Sequence, residues 1–206
     1  MTVRNLNVEM NMSIYPFEVT LSSDDVERTF CNIIQSLKKI ITIPISVKIS
    51  PYFTDLAKTA QQLSWMGIQG ISIFNKSMLI DIDAEDEKLA NADALTYPGE
   101  LYNTLRWTAI LSGKLRCDLA AAMGVQEPID VVKLLLAGAK AVHVASCLYR
   151  NGIEYMRTLN DGLVRWMAAK GYERIDQFQG KLALKANDKA SMLMRTQFMN
   201  HIAEIK

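Results

Sequence analysis

The chain has 206 residues, 50% of them apolar, enough for a sizeable core in one large domain or two small ones. Its 23 Lys plus Arg nearly balance its 22 Asp plus Glu, leaving a net charge of +1, so no charge footprint points to nucleic acid or an anionic membrane, and any ligand charge must be met locally. Apolar runs such as "VVKLLLAGAKAVHVAS" are broken by Lys or Gly well short of the roughly 18 residues a membrane span requires, and residues 1–12 lack the apolar centre of a secretory signal, so a soluble, cytoplasmic protein is expected.

"NVEMNMSI", residues 7–14, alternates loosely and predicts a first strand. "SSDDVERTFCNIIQSLKKI" predicts an amphipathic helix, with Ser22 or Ser23 as cap, acids in the first turn, and Val26, Phe30, Ile33, Ile34 and Leu37 at helical spacing. "IPISVKIS" is a β-branched strand. The following "FTDLAKTAQQLSWMG" places Leu56, Thr59, Ala60 and Leu63 on one helical face before Gly67. "GISIF", residues 70–74, is the next strand, and "NKSMLIDIDAEDEKLANADALTYPG" is expected to be a long loop, a length usually tied to a site. Then come a helix in "ELYNTLRWTAILSGK", a buried strand in "CDLAAA", a helix in "EPIDVVKLLLAG" stopped at Gly138, a strand in "AVHVAS", and a helix in "GIEYMRTLNDGLVRWMAAKGY". Trp65, Trp107 and Trp166, at helical spacing, are expected in the core. A C-terminal extension, 183–206, is expected to hold one more helix, packed through Met192, Leu193, Met199 and Ile202.

Strands and helices alternate, and the strands are read as apolar along their whole length, the mark of parallel strands covered by helices. The expected class is α/β, a partial (β/α)8 barrel over residues 1–182 with about five parallel strands. A closed barrel has eight strands and typically takes about 250 residues.

In such barrels function gathers at the C-terminal ends of strands and the loops just beyond. That rule selects Asn11 and Ser13, Lys48 and Ser50, Asn75, Gly124, and Ala145 with Ser146. Lys48 interrupts an otherwise apolar strand; its ammonium either reaches a ligand at the barrel mouth or extends to solvent. The small-residue turns at Gly124 and Ala145–Ser146 either present backbone amides to a phosphate or only pack tightly. Cys31, Cys117 and Cys147 lie in apolar surroundings without CxxC spacing, which favours buried, reduced thiols. With only His143 and His201 and no ligand-spaced cluster, no metal site is expected. The acidic run "DIDAEDEKL" has no turn glycine of a calcium loop and is expected to be solvated.

From residue 7 to about residue 182 these motifs resemble, in order, the C-terminal part of the dihydroorotate dehydrogenase family of flavoproteins. "PISVKISPYFTDLAKTAQQL" is similar to the family strand carrying a flavin-contacting lysine, "GISIFN" to the strand ending in a substrate-binding asparagine, and "MGV" and "VAS" to the turns whose amides hold the FMN phosphate. The resemblance implies an FMN-dependent oxidoreductase of pyrimidine biosynthesis, oxidising dihydroorotate or a related dihydropyrimidine. It makes Lys48 a catalytic and FMN-binding residue, Met123, Gly124, Ala145 and Ser146 FMN-binding, and Asn11 and Asn75 substrate-binding. Met123 and Ala145 stand where the family has glycine. In "NMSIYPF" the family's cysteine or serine base falls on Ile14 or Tyr15, which leaves Ser13 as the hydroxyl that could serve. The family carries about half a barrel ahead of the match, so the chain is expected to expose two sheet edges and an apolar inner face, covered by self-association or a partner. The competing expectations are a non-catalytic or truncated half-barrel that binds FMN, another phosphorylated ligand or a partner chain, and a different phosphate-binding barrel enzyme.

Overall fold

The structure is a computed structural model that describes residues 8–11, 22–77 and 79–184. In chain order its elements are β1 (Val8–Asn11), α1 (Ser23–Lys38), β2 (Ile45–Ile49), α2 (Leu56–Trp65), β3 (Gly70–Ile73), β4 (Ile80–Asp83), β5 (Lys88–Asn91), α3 (Glu100–Leu111), β6 (Asp118–Ala122), α4 (Pro128–Ala137), β7 (Ala141–His143), α5 (Ser146–Asn151) and α6 (Tyr155–Ala169), with a 3-10 turn at Ile175–Gln177. The predicted helix in the C-terminal extension lies outside the described residues.

Five strands form one sheet in the order β1-β2-β3-β6-β7, every neighbouring pair parallel. Successive strands therefore sit side by side. With right-handed crossovers this order places the connecting helices on one face, the arrangement of a barrel wall. Local signals fix the helices. Ser22 and Asp25 close a capping box on α1, Asp55 accepts from the Lys58 amide to cap α2, and Asp130 accepts from the amides of Gln126 and Glu127 at the start of α4. Gly138 ends α4 at φ +112°, and a Cβ there would lie 1.9 Å from the Ser112 hydroxyl oxygen, so both the backbone and the neighbour require glycine.

The strands alternate rather than being apolar throughout, which corrects the sequence expectation. Ile45, Val47 and Ile49 of β2 and Ile71 and Ile73 of β3 are buried against Phe30 and Ile34 of α1 and Leu56, Ala60 and Leu63 of α2. A second cluster joins Leu101, Ala121, Val125, Leu134 and Ala139. Each buried Val, Leu, Ile or Phe of these clusters contributes roughly 1.5–3 kcal/mol of burial, and each alanine less. The opposite face carries two register rows, Glu9, Ser46, Gly70 and Asp118, then Asn11, Lys48, Ser72, Ala120 and Ala141. The inner face is therefore polar or small, not apolar as expected. Ser72 donates to Glu9 across that face.

Two further differences concern segments without strong periodicity. The expected loop after β3 contains an antiparallel hairpin, β4–β5, in which Ile82 faces Leu89 and the Asp83 carboxylate accepts from the Glu85 and Asp86 amides in the turn. "SCLYRN" forms a separate helix, α5, and Gly152 at φ +83° divides it from α6. Trp65 is 55% exposed beneath the Arg116 guanidinium, against the expected core position, while Trp107 and Trp166 are partly buried. No described helix is long and apolar enough to cross a membrane.

Candidate functional site

The parallel order aligns the C-terminal ends of β2, β3, β6 and β7, and a cavity of about 380 Å³ opens there. It gathers six of the residues selected from sequence: Lys48, Asn75, Met123, Gly124, Ala145 and Ser146. Asn11 is beside Lys48 in the register but exposed, and it does not line the cavity. Ser13 lies outside the described residues. Ser50 is buried behind the strand end, where its hydroxyl accepts from the Tyr52 amide.

Lys48 reaches the cavity because alternation turns it to the inner face, between Asn11 and Ser72. Among the described residues its ammonium has no hydrogen-bond or ion-pair partner. At the end of β3 the chain passes through a cis Ile73–Phe74 peptide, Asn75 then donates its amide to the Ile49 carbonyl, and its side chain joins the cavity wall. The β6–α4 turn is shaped by packing. Gly124 sits at φ +77°, and a Cβ there would lie 2.1 Å from the Leu101 nitrogen, so the turn lies against the first turn of α3. Met123 holds φ +90°, a left-handed conformation that costs a non-glycine residue about 1–3 kcal/mol. Its side chain packs on the first core cluster.

Several wall residues were missed by the sequence reading. The segment between β5 and α3 crosses to α5: the Thr96 amide donates to the Ser146 hydroxyl oxygen at 2.8 Å, and the Thr96 carbonyl accepts from Arg150 at 2.7 Å and from Gln126 at 3.2 Å. Arg150 also donates to the Gln126 side-chain carbonyl and pairs with Asp93 at 3.6 Å. Lys76 pairs with Glu100 at 3.0 Å with both side chains under one-fifth exposed, and Glu100 also accepts from the Tyr97 amide. Lys76 follows Asn75 at a strand end, so the rule that selected Asn75 could have found it. No signal in the sequence joins Thr96 to Ser146 or Arg150.

Lys48, Asn75, Lys76 and His143 line the cavity, and no Asp or Glu does so among the described residues. The lining therefore suits an anionic ligand. Among the described residues the amides of Gly124 and Val125 donate to no carbonyl, and the Ser146 hydroxyl, having accepted from Thr96, keeps its own proton to donate. These donors suit a phosphate group, and the Lys48 ammonium stands across the cavity from them, three strands from β7. No group of three or more His, Cys, Asp and Glu that could hold a metal occurs among the described residues. The three cysteines are free thiols; Cys147 is buried and Cys31 and Cys117 are half-buried. Burial, and then the neighbouring Asp118 carboxylate, raise the Cys117 thiol to about 11, and burial also raises Cys147.

A parallel sheet of this order with a cation-lined cavity at its strand ends has the layout of part of a (β/α) barrel, with its candidate site where such barrels carry theirs. No protein-family model matches the chain. It is similar to curated catalytic subunits of dihydroorotate dehydrogenase B (NAD(+)): that of Pyrococcus abyssi is 28% identical over 156 residues, 74% of this chain and 52% of the relative. The subunit of Pyrococcus furiosus is 26% identical over 180 residues, 84% and 59%, and that of Enterococcus faecalis 30% identical over 146 residues, 69% and 46%. Among solved structures, a dihydroorotate dehydrogenase of Eimeria tenella in complex with ferulenol superposes with a TM-score of 0.61 at 15% identity, covering 85% of this chain and 53% of that one. The chain is thus dihydroorotate dehydrogenase-like in sequence and fold, as its motifs implied. It spans about half the length of the curated relatives it matches.

Proposed function

We propose that the chain is an FMN-binding oxidoreductase unit of the dihydroorotate dehydrogenase type, acting on dihydroorotate or a related dihydropyrimidine in pyrimidine biosynthesis. The observation that carries this reading is the convergence of Lys48, Asn75 and both small-residue turns on one cavity without a lining carboxylate. Bound FMN would supply a two-electron acceptor. Lys48, whose ammonium lines the cavity, would contact the flavin and could offset negative charge on the reduced ring. Asn75 orients the substrate ring through amide hydrogen bonds, while Asn11, outside the cavity lining, takes no direct part. The amides of Gly124 and Val125, the Ala145–Ser146 turn and the Ser146 hydroxyl hold the phosphate, with Met123 in the place of a glycine. Ser13 is the proposed base. A second copy or a partner chain covers the outer edges of β1 and β7, consistent with a cytoplasmic assembly.

A non-catalytic binding role is the alternative, favoured by one observation: Met123 keeps a glycine-type conformation at an energetic cost while placing a bulky side chain beside the phosphate turn. Visible spectra of the purified chain with and without FMN test both. The expected result is a flavin band that bleaches under dihydroorotate and is lost in Lys48→Ala. A band that no dihydropyrimidine bleaches selects the binding role, and a protein that ignores FMN removes both.

A further inference from the structure

His143 is the last residue of β7, two positions before the Ala145–Ser146 turn, and it lines the cavity. Its register partner on β6 is Ala122, and Ala120 is the preceding inner-face residue of that strand. Two alanines thus form the floor between His143 on one side and Ser72 and Lys48 on the other. From β2 to β7 is three strand spacings of roughly 4.8 Å, about 14 Å in all. An extended ligand lying on the alanine floor therefore meets a permanent cation at one end and an imidazole at the other. The ring of His143 has no hydrogen-bond or ion-pair partner among the described residues.

We infer that His143 is an anion-binding residue of this cavity, whose protonated ring donates to the phosphate of a phosphorylated ligand held at the Gly124 and Ala145–Ser146 turns. The inference extends the FMN reading, and its ligand class is any phosphomonoester able to span the floor. Neutral imidazole has one N–H and no charge; the imidazolium has two N–H donors and a full positive charge. The other charged groups around the cavity are engaged elsewhere or lie at a distance. Lys76 is engaged by Glu100, Arg150 by Asp93 and by the Thr96 carbonyl, Lys48 lies across the floor, and β6 presents only alanine methyls to the ring, with Asp118 at its far end. The Tyr149 phenol on α5 also lines the cavity. Phosphate binding then strengthens as pH falls through the His143 titration. By linkage, bound phosphate raises the midpoint of that titration.

The chain has two histidines, His143 and His201, so both imidazole titrations can be followed by proton–carbon NMR, with His143→Gln supplying the assignment. Spectra are taken alone, with FMN, and with inorganic phosphate. A tenfold preference of phosphate for the protonated ring moves the His143 midpoint up by about one pH unit, and riboflavin, which lacks the phosphate, moves it by much less. If FMN does not bind but inorganic phosphate still raises the midpoint, the FMN reading falls and the role of His143 stands. If FMN binds by absorbance and neither phosphate ligand moves the midpoint, the role of His143 falls and the FMN reading stands. A midpoint indifferent to all three ligands overturns the inference as well.

Discussion

Cys117 stands immediately before β6, half-buried, with the Asp118 carboxylate next to it. Loss of solvation penalises the thiolate most, the carboxylate adds repulsion, and together they hold the thiol at about 11. An unfolded cysteine ionises near 8.5. Because the folded state favours the protonated form, Cys117 contributes stability that is complete below about pH 8.5 and is lost as pH rises toward 11. Urea midpoints measured across that window should fall more steeply for the native chain than for Cys117→Ala, and alkylation of Cys117 should be slow at pH 8. Equal slopes in the two proteins would remove the argument. The site residues show how much of such chemistry a sequence carries. That Lys48 and Asn75 lie at the strand ends was legible because each is a polar residue at or just beyond the close of an apolar run, where it is conspicuous. The pairing of Lys76 with Glu100 was not, since it depends on a helix that returns its first turn to the end of β3.

The segment from Asp93 to Tyr97 is anchored by few bonds; Arg150 of α5 supplies charged ones to Asp93 and Thr96, and the Glu100 carboxylate accepts from the Tyr97 amide. Its pair with Asp93 is largely exposed and counts for little. The bond to the Thr96 carbonyl, part-buried and charge-assisted, carries most of the effect, roughly 1–3 kcal/mol. Arg150→Ala should therefore speed hydrogen exchange of the Thr96 amide, whose bond to Ser146 depends on the segment staying in place. Exchange at the α1 amides should not change. An unchanged Thr96 rate would show that Gln126 and Ser146 suffice. At this scale the helices with caps and stops, α1, α2 and α4, were readable within a residue or two. The β4–β5 hairpin was hidden because its strands have four residues each and carry charges, so composition suggested a loop. α5 was hidden for a related reason: six residues are too few to display a helical period.

As a whole, the chain is a five-stranded parallel sheet with its apolar face turned to the helices and a polar or small-residue inner face. Class and strand number were legible, because alternation of strands and helices admits few other solutions. The character of the inner face was not, because a one-residue alternation inside short runs such as "ISVKI" is masked by the flanking isoleucines. The outer edges of β1 and β7 have no strand partner among the described residues, and such edges invite pairing. The proposed covering chain predicts a solution mass above the 23.1 kDa of one copy when the protein is purified alone at micromolar concentration. A strictly monomeric protein by light scattering would leave a different partner as the cover.

The cavity wall runs from Lys48 to Tyr149 and draws on four of the five strand ends of the sheet, so residues a hundred positions apart in sequence must be folded together to form it. Occupancy is consequently a report on the integrity of those four strands: a ligand present at a hundred times its dissociation constant would add about 2.7 kcal/mol to global unfolding. A bound cofactor would then act as a fastener joining early and late portions of the polypeptide, and the holo chain would melt as one unit.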